Sequence, residues 1–99
     1  IGMKPVLYND VLAAVSYLSG LVPGKREAAL ETLMQDVDRA EAYAVRYQAV
    51  HPVFGDGTLL AASLRHEVRG STSFQSEDTL SVWLSVLAAL KDRLVQPHA

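Results

Sequence analysis

The residues with the most chemical potential in this chain lie together near its middle, in His51-Pro52-Val53-Phe54-Gly55-Asp56-Gly57-Thr58-Leu59-Leu60. A ring nitrogen, a carboxylate and a hydroxyl fall within eight residues, and Gly55 and Gly57 can take positive φ on either side of Asp56. Pro52 pushes His51 out of the helical region, so the segment reads as a helix stop, a shaped turn and a helix start. Where such a turn opens onto a helix N-terminus, free backbone N–H groups and the helix dipole can hold a phosphate or carboxylate. Thr58 would then donate, Gly57 would let the backbone approach, and Arg65 or Arg69 would assist. The competing reading is architectural: Asp56 or Thr58 caps the next helix, and a capping carboxylate repels an anion from that position. The glycine spacing and Lys-Ser/Thr pair of a P-loop are missing.

Other reactive sets are thinner. The metal candidates are His51, Asp56, His66 and Glu67, with Asp38 and Glu41 three apart on one face of a long helix. There is no EF-hand run and no pair of histidines four apart, so the spacing imposes no site, and neither a metal nor a cofactor is expected. Serines are numerous, but none sits in a nucleophile elbow, and His51 or His66 could serve as a base only if folding delivered a serine to it. No catalytic residue is assigned. The chain has no cysteine, which removes disulfides, thiol catalysis and thiolate metal sites together.

These residues are positioned by elements that the pattern predicts to be helical. Asn9 is the expected N-cap of a first helix to Ser19, with Asp10 at the positive end of its dipole and Gly20 as its stop. Pro23 opens the second helix, in which Leu30, Leu33, Val37, Ala40, Ala44 and Tyr47 recur at steps of three and four until about Val50. Thr58 or Asp56 starts a short third helix that fades near Val68, and Ser76 caps a fourth. Leu80, Trp83, Leu84, Leu87, Leu90 and Leu94 are read as one broad apolar face of that last helix. No stretch alternates with period two between turns. The expected fold is all-α, a compact four-helix bundle-like domain with one long central helix and a short third helix. Helices one and four are expected on the apolar stripe of helix two. The single domain is expected over residues 3–96, with Ile1 and Gly2 reading as a cloning remnant before Met3.

Composition bounds the function. Hydrophobic residues make up 49% of the 99, enough for a core that removes roughly two-thirds of the unfolded chain's surface from water. Nine Lys and Arg against eleven Asp and Glu give a net charge of −2, which offers no basic field to a phosphate backbone, so no nucleic-acid partner is expected. Leu80 to Leu90 is too short for a bilayer and is interrupted by Ser81 and Ser85, so no membrane span is expected, and without a signal segment the expected setting is cytoplasmic. What remains is surface. Tyr43, Tyr47 and Tyr17 lie on or beside the helical stripes, and amphipathic aromatics are enriched where proteins meet.

Lys4-Pro5-Val6-Leu7 with Asp10-Val11-Leu12-Ala13-Ala14, a long Ala-, Glu- and Arg-rich helix, and the central turn continued by Ala61-Ala62 resemble small bacterial proteins of unknown function. The resemblance covers the first two-thirds of the chain. It implies a helical fold and a bacterial cytoplasmic setting, and it carries no catalytic residue. The function expected is a non-enzymatic interaction module that binds a protein partner or itself through a strip on helix two or helix four. The alternative is a small-ligand or anion binder, or a minor enzyme, built on His51, Asp56, Gly57, Thr58 and Arg65.

Overall fold

A computed structural model describes residues 5–66 and 70–95. Within them the chain is all-α, with α1 over Tyr8–Ser19, α2 over Pro23–Tyr47, α3 over Leu59–Leu64 and α4 over Glu77–Val95. Among the described residues the only strand-like pairing is a single bridge between His51 and Gly55.

The helix ends follow local chemistry, with corrections. Leu7, not Asn9, is the N-cap of α1, because Asp10 at the third helical position turns its carboxylate back onto the Leu7 N–H at 2.9 Å. The acid satisfies the N–H of the cap residue itself, the half of a capping box that reaches back, and the Leu7 side chain caps nothing. At the other end, Arg26 supplies donors to the last carbonyls of α1, Nε to Leu18 and Nη2 to Ser19, and Nε also to Leu21 in the turn that follows, at 3.0–3.2 Å. These carbonyls have no partner inside the helix, and a cation there also suits the dipole. Pro23 takes the first position of α2. That helix ends at Tyr47 because Gln48 turns left-handed at φ 52, four residues before the Pro52 that was expected to stop it. Thr58 caps α3 by accepting the Ala61 N–H, and Ser76 Oγ accepts from Thr79 at the start of α4. α3 ends at Leu64, while the expected fade near Val68 lies outside the described residues.

The arrangement of the helices also departs from expectation. α1 packs against all three others and lies in the middle. Only one of its twelve residues, Asp10, is charged, and Val11, Ala13, Ala14, Val15 and Leu18 are all buried. α2 is the longest helix but is too highly charged to be covered on several sides, so it buries one stripe through Leu30, Leu33, Val37 and Ala40. α4 rests on α1 through Val82, Trp83 and Val86 instead of closing onto α2. Full burial of Leu18, Leu33 and Leu59 contributes roughly 1.5–3 kcal/mol for each side chain.

Two ion pairs hold α2 and α4 apart at a fixed spacing. Arg26 meets Asp78 near the start of both helices, and Asp38 meets Arg93 farther along both, so the two run in the same direction. Between them lies an open groove of about 490 Å³ floored by Leu18, Leu30 and Val82. The loop before α4 is latched to α1, since Gly70 N–H donates to the Ser16 carbonyl, and the Ser16 and Ser19 hydroxyls donate to the Gly70 and Ser71 carbonyls. A Cβ at Gly70 would collide with Ser19 and the backbone of Ser16 and Gly20.

Candidate functional site

The central turn is built from its own polar groups. His51 and Gly55 exchange both backbone hydrogen bonds, closing a loop of three residues between them. Nδ1 of His51 accepts from the N–H of Val53 and of Phe54, both at 3.0 Å, so the ring plays the part that an Asn or Asp side chain plays in an Asx turn. This fixes the tautomer with its proton on Nε2. Gly55 and Gly57 both have positive φ, 84° and 91°, as the sequence requires. Asp56 Oδ1 accepts from the Thr58 N–H and hydroxyl, and Thr58 Oγ1 then accepts from Ala61. Asp10 completes the ring of bonds, with Oδ1 accepting the Leu60 N–H at 2.9 Å while Oδ2 caps α1. The N–H groups of Thr58, Leu60 and Ala61 are therefore bonded within the protein.

Above the turn lies a cluster of rings and cations. Phe54 stacks on His51 at 4.6 Å, Tyr43 meets His51 edge-on at 4.7 Å, and Tyr47 tilts against Tyr43 at 4.6 Å. The guanidinium groups of Arg39 and Arg65 lie 5.8 and 5.1 Å from the centre of the Phe54 ring. Both also reach Asp36, which is only 2% exposed, at 3.7 and 3.4 Å. Asp36 is a buried carboxylate compensated by two cations, one on its own helix and one delivered from α3. Sequence spacing gives no sign of it, because Arg65 comes to Asp36 only through the turn. Phe54 is half-buried and sandwiched in this cluster.

The other sequence candidates are distributed elsewhere. Tyr17 stacks on His66 at 4.4 Å, far along α1 from the turn's cluster. Asp38 is engaged by Arg93, whose pKa is raised by its hydrogen bonds to Asp38 and by the negative charges of Asp38 and Glu41. Arg26 is likewise raised and Asp78 is held below the usual carboxylate range, each mainly by their mutual hydrogen bonds at 2.7 and 2.8 Å. Glu67 and Arg69 lie outside the described residues. Among the described residues, no three His, Asp or Glu side chains are grouped so as to hold a metal ion, and no helix is long and apolar enough to cross a membrane.

The largest difference from the sequence reading is on α4. The apolar face read there as one is two. Val82, Trp83 and Val86 point inward, with Leu90 partly covered, whereas Leu80, Leu84, Leu87 and Leu94 are 39%, 67%, 49% and 87% exposed. The outer four lie in one row with Glu77 and Lys91, at steps of three and four. Phe74 and Tyr8, both exposed, lean on Trp83 from the side and continue the apolar surface. The signal was present in the sequence: α4 holds more leucine and valine than one helical face can take.

A family model matches residues 4–90, most of the 99-residue chain. The chain belongs to the family described as Domain of unknown function (DUF7742). The match runs beyond the first two-thirds on which the resemblance to uncharacterised proteins rested, and it takes in the central turn and α4 as far as Leu90. Neither the curated proteins nor the solved structures gave a match to this DUF7742 domain.

Proposed function

We propose that this domain is a non-enzymatic protein-interaction module whose binding surface is the outer face of α4. One observation carries the reading: four leucines at heptad spacing stand in water on a helix whose opposite face already has a full set of core contacts. Such a row costs solubility and contributes little to the isolated fold, while a continuous apolar patch of this kind is what partner-binding surfaces offer. Tyr43, Tyr47 and Tyr17 support this surface less, because their rings are engaged by His51, by one another and by His66. The setting we propose is cytoplasmic, in a bacterium, as the resemblance implies.

The test is a photo-crosslinking residue placed at Leu84 in the cells that make the protein, with Gln35 on the polar side of α2 as reference. The expected result is a discrete protein adduct at position 84, none at 35, and loss of the adduct when Leu80 and Leu87 are both changed to serine. Equal yields at the two positions would sink the reading. The alternative, an anion or small-ligand site at the turn, is supported by the two guanidinium groups beside Phe54. It expects chemical-shift changes at Thr58 and Arg65 on titration with inorganic phosphate. A flat titration there, alongside the Leu84 adduct, leaves the α4 reading in place.

A further inference from the structure

We infer that the occupant of the α4 face is a second copy of this chain, docked antiparallel about a two-fold axis that passes between Leu84 and Leu87. The inference rests on the interaction reading above and goes further by naming the partner. A two-fold interface must be complementary to itself, so the same row has to match its own reversal. The row Glu77, Leu80, Leu84, Leu87, Lys91, Leu94 does so. Turned end for end and centred between Leu84 and Leu87, it sets each of these two leucines against the other in the second copy. Leu80 then falls against the aliphatic stem of Lys91, and Glu77 falls one turn from the ammonium of that same Lys91. The two-fold axis generates the contact twice.

The charges choose the direction. Parallel docking would oppose Glu77 to Glu77 and Lys91 to Lys91, whereas antiparallel docking opposes unlike ends. These are also the charges on the row itself, since Asp92 lines the groove towards α2. Asp78 and Arg93 are turned inward onto Arg26 and Asp38, while Glu77 and Lys91 are exposed and form no ion pair among the described residues. Leu94 gains a reason for its exposure, since in the antiparallel pair it approaches the Phe74 end of the second copy. The row spans a contact of about 25 Å at the helical rise.

Sedimentation equilibrium on the full chain tests the inference, together with cysteine cross-linking that the absence of native cysteine makes unambiguous. The parent should be a dimer. Glu77→Lys and Lys91→Glu should each weaken it by about tenfold or more by opposing like charges, and the double exchange should bring it back towards parental affinity. All three should keep the helical circular-dichroism signal, because both positions are exposed. Leu80→Cys mixed with Lys91→Cys should give a disulfide-linked heterodimer, and Leu80→Cys alone should give little. A monomeric parent, a dimer indifferent to the charge exchanges, or ready self-linking of Leu80→Cys overturns the inference. If the parent is monomeric and the Leu84 adduct contains a different protein, the self-association is wrong while the interaction reading stands. If there is no Leu84 adduct at all, both fall.

Discussion

The turn between α2 and α3 and the outer row of α4 are opposites. In the turn, the groups that could do chemistry are directed at one another: His51 at two N–H groups, Asp56 at Thr58, Thr58 at Ala61 and Asp10 at Leu60. On α4, groups with no chemistry beyond being apolar are directed at water. Reactive residue types therefore do not by themselves make an open site, because a hydrogen bond made internally is no longer available to a ligand. The capacity left unspent here is hydrophobic.

The contrast can be broken by substitution. The largest effect should come from Gly57→Val, which forces a β-branched residue to φ 91° with its Cβ 3.6 Å from the Glu41 backbone. A loss of about 2–3 kcal/mol in denaturant unfolding is expected. Asp10→Ala should cost about 2 kcal/mol by stranding the Leu7 and Leu60 N–H groups, a penalty that the same change at an exposed acid such as Glu31 should not show. His51→Ala should cost about 1 kcal/mol, and His51→Asn less, since an amide oxygen can accept the same two N–H groups.

A smaller effect tests the pairing of α4 with α2. Asp78 titrates below its ordinary value of 3.8 because Arg26 hydrogen-bonds its charged form. Its contribution is therefore fully present above that value and is lost as pH falls through the lower folded-state pKa. Asp78→Asn should be less stable than the parent at neutral pH, and melts recorded well below 3.8 should bring the two together. A gap of the same size at both pH values would mean that the pair's charge does not matter. The smallest change is expected at Leu84→Ser, within about 0.5 kcal/mol of the parent when measured at a dilution where the chain is monomeric. A large loss there would show that the outer row belongs to the fold and would remove the contrast.

Much of the fold was written locally. Pro23 and Ser76 open helices, Thr58 caps one, and Gly55 and Gly57 take the left-handed conformations that the turn demands, because each of these acts over four residues or fewer. Of the candidate surfaces, the turn was legible as an architectural element, but the leucine row was hidden by being merged with the buried face of the same helix. Where two local signals competed, the weaker-looking one prevailed: Asp10 rather than Asn9 at α1, and a left-handed Gln48 rather than Pro52 after α2.

By itself, then, the sequence determined four helices in order, their approximate ends and a glycine-dependent turn, since propensity, capping and backbone sterics are properties of short segments. Only the tertiary structure decided that α1 takes the middle, that Arg65 is brought to the buried Asp36, and which face of α4 is left in water. An amphipathic pattern says that a face must be covered but not by what, and α1 covers the inner face of α4 while α2 meets it through ion pairs and leaves the outer row in water.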